Sequence, residues 1–574
     1  MIPPMRLPLR LAVLIAAVPA ALVAQTAKDL PLKYVGPPTR TEISAGDLMT
    51  RLYLFADDSM MGRAVGTEYN NKATAYIESE VRRLGLTPAG DSGTYFQNLP
   101  LFVRSIDTAT STLTVGGQVF KAGVDFMATA NGRPMPVVDA DVVFGGTAID
   151  TTNLLPNESV RGKFVVLRPF MPGPGFSPQV LIATNGYKQY VKSMDGARLV
   201  TLTGDQFNAN AIRVALNPTN VSFVRNQDAP VSFTITTRVA EALFGGPIAN
   251  LTKGAPGKTV SATVNFINVP KQLGRNVVAI LPGSDATLRG QYVAIGAHND
   301  HIGFNTRPAD HDSVKAFMQL LRPQGADNPP VTPTPEQVEQ VRVLTDSLRA
   351  LHGARKDSIY NGADDDGSGS VSVLEIAEAF ATGRVKPKRS LIFVWHAGEE
   401  RGLWGAEYFT DHPTVPRDSI VAQLNMDMVG RGRATDATGS VKEGGIIHGG
   451  PGYLQLVGSR RLSTELGNLM ETVNADGKFG LQFDYAIDAD GHPQNIYCRS
   501  DHYEYARYGI PIVFMTTGGH ADYHQVTDEP QYIDYDHMAQ IDKFVFAAAV
   551  KIANLDHRVV VDKPKPDPKG ACVQ

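Results

Sequence analysis

In the stretch Tyr292-Val293-Ala294-Ile295-Gly296-Ala297-His298-Asn299-Asp300-His301, an apolar run passes directly into His and Asp. It reads as a short buried strand that delivers His298, with Asp300 two residues on, within reach of the other ring nitrogen. The same pattern recurs at 276–281, 390–395, 422–427 and 511–515, and helical spacing fills intervals such as 371–380. Strands alternating with helices predict an α/β sheet with helices on both faces. In such sheets ligands bind at the C-terminal edge of the strands, where this His and Asp lie.

Four further segments put acids or histidines at that edge. Asn361-Gly362-Ala363-Asp364-Asp365-Asp366-Gly367-Ser368-Gly369 packs three carboxylates together, which calls for a nearby positive charge, and a metal is the natural source. Asp364, Asp366, Ser368, Gly369 and Glu375 also match positions 1, 3, 5, 6 and 12 of an EF-hand calcium loop. An EF-hand needs a helix entering at its first position, and Asn361-Gly362 breaks one there. Trp395-His396-Ala397-Gly398-Glu399-Glu400 ends a strand in two acids, which suits one metal ligand and one proton carrier. Asp427 stands alone in the apolar Leu424-Asn425-Met426-Asp427-Met428-Val429, where an unpaired carboxylate is costly. His520-Ala521-Asp522-Tyr523-His524 follows the last of these strands. Each segment alone has a bland reading as a polar loop. Together they supply five candidate ligands, His298, Asp365, Glu400, Asp427 and His524, and leave Glu399 over as a base.

The whole chain sets limits on this reading. Its 574 residues suggest several domains, and 43% hydrophobic with 20% charged residues allow a sizeable core. A net charge of -4 gives no general basic field for nucleic acid, and two cysteines cannot build a thiolate zinc module. Any metal must therefore be held by His and carboxylates. Arg6 and Arg10 precede an apolar run over 11–24, too short for a comfortable bilayer span and placed like a secretory signal with cleavage after Ala24. The expected mature product is soluble and periplasmic or secreted, with no stable membrane insertion.

The ordered set Gly-Ala-His-x-Asp, Gly-Ala-Asp-Asp-Asp-x-Ser-Gly, Gly-Glu-Glu-x-Gly-Leu-x-Gly, Asn-x-Asp-Met-x-Gly, Ser-Asp-His and Tyr-His-x-x-x-Asp resembles the co-catalytic di-zinc metallopeptidases. That family includes bacterial leucyl aminopeptidases, aminopeptidase S and glutamate carboxypeptidase. The resemblance covers about 274–552 and implies the zinc-exopeptidase fold, with a mixed, mostly parallel sheet. It implies two zinc ions per chain, with manganese or cobalt as alternatives. His298 and Asp427 would hold one ion, Glu400 and His524 the other, and Asp365, joined to Asp366 by a cis peptide, would bridge them. Glu399 would serve as general base to a hydroxide bridging the ions, Asp300 would orient His298, and Tyr523 would donate to the developing oxyanion. Asp501 and His502 fall in the Ser-Asp-His segment near the substrate pocket.

The implied division is a signal at 1–24, an N-terminal part of the peptidase domain at 25–127, and an insert at 128–262 similar to a protease-associated domain. The catalytic domain follows at 263–560 with an inserted helical lid at 305–360, and a disordered tail at 561–574. The implied function is an exported aminopeptidase acting on peptides. The alternatives are a carboxypeptidase or dipeptidase of the same family, a single-zinc glutaminyl cyclase, or a non-catalytic binding protein on the same fold. Side-chain specificity, oligomeric state and the pairing of Cys498 with Cys572 are left open by the sequence.

Overall fold

A computed structural model describes residues 30–147, 155–168, 198–202, 207, 209–225, 228–271, 273–432, 441–442, 445–446 and 449–574. The expected signal at 1–24 lies outside the described residues.

Six strands form the body of a nine-stranded mixed sheet: β1 (Arg275–Leu281), β2 (Tyr292–His298), β3 (Ser390–His396), β4 (Ile420–Met426), β5 (Tyr453–Val457) and β6 (Ile512–Thr516). The order across the sheet is Thr87–Pro88, β1, β3, β2, β4, β6, β5 and Gln482–Asp484, with Phe96–Asn98 also paired to β1. Neighbours β3, β2, β4 and β6 run parallel. The flanking β1 and β5 are antiparallel to β3 and β6. This is the α/β architecture that the alternation of strands and helices predicts.

Side chains alternate across a strand, so each strand feeds two cores. Val293, Ile295 and Ala297 of β2 face helices Ala45–Phe55, Gly369–Thr382 and Tyr535–Ala553, meeting Leu48, Leu374 and Phe544 in one cluster. Ala294 turns to the opposite face with Ile392, Val394, Phe409 and Tyr505. Covering both faces leaves the ends of the strands as the accessible part of the sheet.

A second, eight-stranded sheet runs Gln118–Lys121, Thr112–Val115, Pro256–Thr263, Val137–Thr147, Phe164–Arg168, Arg198–Leu202, Ser232–Ile235, Phe126–Thr129. Its core is built on Phe120, Phe126, Phe164 and Phe233. Residue 128 falls inside one of its strands, and two more of its strands precede that point. The sheet recruits these early strands because its late strand Pro256–Thr263 pairs antiparallel with Thr112–Val115.

The segment 305–360 is framed by the antiparallel pair Phe304–Asp310 and Lys356–Ile359 around helices His311–Leu321 and Pro335–His352. The second of these helices begins at a capping box between Thr334 and Gln337. The tail expected to be disordered is held instead. Cys572 is bonded to Cys498, and the Gln574 side chain accepts from the Tyr497 N–H at 2.9 Å and donates to the Ile487 carbonyl at 2.6 Å. A covalent tie and two hydrogen bonds offset the ordering cost that a charged, proline-rich tail otherwise leaves unpaid. No described helix is long and apolar enough to cross a membrane.

Candidate metal centre

The C-terminal ends of β2, β3, β4 and β6 converge on one cluster. His298 is the last residue of β2, Asp427 directly follows β4, and Glu399 and Glu400 lie in the tight turn after β3. His524 comes from the loop after β6, and Asp365 from the turn leading into helix Gly369–Thr382.

Asp365 sits between the two histidines. Its Oδ1 stands 3.2 Å from His298 Nε2, and its Oδ2 stands 3.0 Å from His524 Nε2. Asp427 Oδ1 is 3.7 Å from His298 Nε2, and Glu400 Oε2 is 3.0 Å from His524 Nε2. Glu399 Oε2 lies 3.9 Å from His298 Nε2. All six expected ligands and base are thus brought together. The peptide bond from Asp365 to Asp366 is cis.

The donor atoms fit divalent cations. His298 Nε2, His524 Nε2, Asp365 Oδ2 and Glu400 Oε1 are buried without a hydrogen-bond partner. Leaving such groups unsatisfied is expensive unless a cation completes them. Burial alone would raise the Asp365 carboxyl, but the His301, His298 and His524 rings hold it well below the usual carboxylate range. Burial pushes Glu399 well up, and the Asp427, Glu400 and Asp501 carboxylates add to this against the pull of His298. The two adjacent glutamates are therefore pushed apart, since Glu400 is drawn down by His524 and His301 despite its burial. An acid whose hold on a proton is strengthened, beside one held ionised, suits a group that takes up and returns a proton next to a ligand.

Supporting contacts fix this geometry. His298 Nδ1 is 3.1 Å from the Asp300 carbonyl and 3.7 Å from its carboxylate. That carboxylate also accepts the N–H groups of Gly398 and Glu399 at 2.7 and 3.1 Å, so Asp300 holds the turn that carries Glu399. Ser500 Oγ donates to Asp427 Oδ2 at 2.6 Å. Tyr523 stacks on the His524 ring at 4.1 Å between centroids, and its hydroxyl accepts from Arg499 at 3.3 Å. Asp501 and His502 do not reach the ligand atoms. Asp501 pairs with buried His396 at 3.3 Å, and His502 stacks on Phe514, its pKa lowered to about 3 by burial.

Three residues escaped the sequence reading. His301 joins Asp365, Glu400 and His524 in one group of potential ligands. Asp366 is grouped likewise with His298 and Asp427, yet its oxygens already accept the N–H groups of His298, Gly369 and Met428, so it braces the backbone. Asp528 accepts the N–H groups of Asp364 and Asp365 and presents the latter to the site. The available signal was the spacing of His298 and His301 just past a strand. Glu375, twelfth in the EF-hand register, bonds Arg51 at 3.1 Å and belongs to the core.

A cleft beside the cluster is lined by Asp327, Met428, Ile496, Arg499, Phe514 and Tyr523, among others. Asp327 comes from the 305–360 segment, and both its oxygens accept from Arg499 at 3.0 Å.

The model of peptidase family M28 matches residues 276–549. Leucine aminopeptidase 1 of Coccidioides posadasii (strain C735) is 28% identical over 221 residues, covering 35% of this chain and 51% of that protein. Leupeptin-inactivating enzyme 1 of Streptomyces exfoliatus is 28% identical over 184 residues, 32% of this chain and 35% of that protein. The chain thus spans about half the length, or less, of these curated relatives. Among solved structures, a zinc aminopeptidase from Bacillus subtilis aligns over 91% of this chain and 99% of its own at 15% identity, with a TM-score of 0.45.

Proposed function

Through residues 276–549 the chain belongs to peptidase family M28, and from that premise we propose that it is an exported, zinc-dependent aminopeptidase with two ions per chain. The observation that carries the proposal is Asp365, which turns one oxygen to His298 and the other to His524. A bridging carboxylate flanked by two terminal ligand pairs, His298 with Asp427 and Glu400 with His524, suits two neighbouring cations. His and carboxylate donors suit zinc, with manganese or cobalt as substitutes. When bound, the ions would supply Lewis acidity, polarising the scissile carbonyl and lowering the pKa of water.

The chain's own groups do the rest. Glu399 takes a proton from the attacking water and returns it to the leaving amine nitrogen. Asp300 holds the Glu399 turn and the His298 ring at once. Ser500 fixes one oxygen of Asp427 and so leaves the other free to face His298. The Tyr523 hydroxyl, receiving a hydrogen bond from Arg499, has its own proton free for the carbonyl oxygen of the substrate. An amino-terminal rather than carboxy-terminal substrate is favoured because Arg499, the cation lining the cleft, is already paired with Asp327. The names of the curated relatives favour the same choice. The second sheet, whose strands lie between Thr112 and Thr263, reads as a protease-associated-like domain, and the 305–360 segment as a lid that lends Asp327 to the cleft. Export rests on the signal-like 1–24.

The test is metal content alongside hydrolysis of aminoacyl-p-nitroanilides by wild type and Glu399→Gln. Two zinc ions in both proteins, with hydrolysis only in wild type, is the expected result. Two ions without hydrolysis in wild type would redirect the reading to carboxypeptidase substrates, and one ion or none would sink the di-metal reading.

A further inference from the structure

We propose that His301 is a fourth protein ligand of the cation held by Glu400 and His524, so that the two ions of the centre are bound unequally. The inference rests on the di-metal reading above and adds to it a residue outside the six carried over from the sequence.

His301 is 1% exposed, and neither ring nitrogen has a hydrogen-bond partner. A buried imidazole left in that state is costly, and native structures satisfy such groups almost without exception. Its Nδ1 stands 2.6 Å from Glu400 Oε1 and 3.6 Å from Asp365 Oδ2. The shorter contact is not aligned as a hydrogen bond. His524 Nε2 faces the same two carboxylates at 3.0 Å each. Four donor atoms, two nitrogens and two oxygens, therefore lie within 4.8 Å of one another, an arrangement that a shared cation explains and a pairwise hydrogen bond does not.

The ring is also built into its place. The His301 N–H donates to the Arg63 carbonyl, and the ring meets His524 edge-on with centroids 5.5 Å apart. Gly362, at φ +56°, has no side chain where a Cβ would strike both the Asp365 carbonyl and the His301 ring. A glycine at that point lets the imidazole approach the bridging aspartate.

Counting ligands gives the asymmetry. Asp365, His298 and Asp427 make three on one side, while Asp365, His301, Glu400 and His524 make four on the other. Three protein ligands leave a tetrahedral ion an open position and four do not, which is the usual difference between catalytic and structural zinc. Glu399 lies on the open side, facing His298. The four-ligand side is expected to fill first and to release its ion last.

Cobalt(II) is the probe, added to metal-free mature protein and followed by visible absorption and by proton NMR in H2O and D2O. In wild type the expected result is two binding steps, ending in three exchangeable, strongly shifted imidazole N–H signals, from His298, His301 and His524. His301→Phe is expected to show two such signals and to weaken the first step by about 100-fold or more, the upper end of what loss of a supporting group costs, with the second step unchanged. Only two shifted signals in fully loaded wild type would overturn the proposal, and this reading needs no variant to fold. Equal affinities in wild type and His301→Phe would overturn it as well. Uptake of fewer than two cobalt ions by wild type would instead remove the di-metal reading, so the two failures are distinguishable.

Discussion

In the sheet of β1–β6, strands β3 and β4 are buried at every residue, whereas in the second sheet Gln118–Lys121 and Pro256–Thr263 are largely exposed and Ser232–Ile235 shows a buried residue at every second position. The first pattern belongs to parallel strands covered on both faces, the second to strands with one face toward solvent, although Phe164–Arg168 within the second sheet is buried on both. The consequence is chemical. A sheet covered on both faces exposes only its strand ends, and loops leaving those ends can bring side chains distant in sequence to one point with little freedom. Among the described residues, both groups of clustered His and carboxylate side chains lie at the ends of the first sheet. The second sheet spends its buried positions on Phe120, Phe126, Phe164 and Phe233. Activity and stability are therefore expected to separate between the two regions.

The sharpest break of that separation is Glu399→Gln. Removing the group that moves the proton is expected to lower kcat/KM by about 10²- to 10⁴-fold, with metal content and melting temperature unchanged. Activity within a few-fold of wild type would place the base elsewhere. The mirror experiment is Phe233→Ala in the second sheet. Phe233 packs against Phe164 and Phe126 with ring centroids 5.1 and 6.0 Å apart. Its loss is expected to cost about 3–5 kcal/mol of unfolding free energy, read from denaturant titration, while kcat of the folded fraction stays the same. A matching fall in kcat would show that the two sheets are energetically one unit.

A pH effect is expected under the first sheet. Glu375, on the helix that follows Asp365, has its pKa raised to about 7, first by burial and against the pull of Arg51. The folded state then holds this proton more tightly than the unfolded chain, whose carboxyl titrates near 4.5. The stabilisation is complete below that value and is lost as pH rises toward 7, by about 3 kcal/mol at most. Glu375→Gln is expected to flatten the slope of unfolding free energy between those limits. An unchanged slope would assign the effect to other groups.

Five of the strands β1–β6 were legible as short apolar runs, and β5 was not, since Gln455 stands in the middle of it. The ligands were legible because a strand end fixes where its next residue points. His301 was not, since it lies three residues beyond β2 and its partners Asp365 and Glu400 come from other strands' loops. Asp366 and Asp528 were equally hidden, for their work is to accept backbone N–H groups that no side-chain pattern announces. The early edge of the second sheet was missed because its pairing joins residues near 113 to residues near 262, and local texture carries no record of a partner so far along the chain. The tail was read from composition alone, which says nothing of a bond between Cys572 and Cys498.

The smallest expected effect tests how finely the site divides its work. Tyr523 lies against His524 with its hydroxyl receiving a hydrogen bond from Arg499, and burial raises its pKa, so the phenol stays protonated at any working pH. If it donates to the carbonyl oxygen only as charge builds there, Tyr523→Phe is expected to lower kcat with KM unchanged. The size should be about tenfold, near 1.4 kcal/mol, because bound ions would already stabilise the same oxygen and one hydrogen bond adds only its net worth. The ring remains to stack on His524, so metal content and stability should hold. A rise in KM with kcat unchanged would make Tyr523 a wall of the cleft, and the oxyanion would then be left to the ions alone.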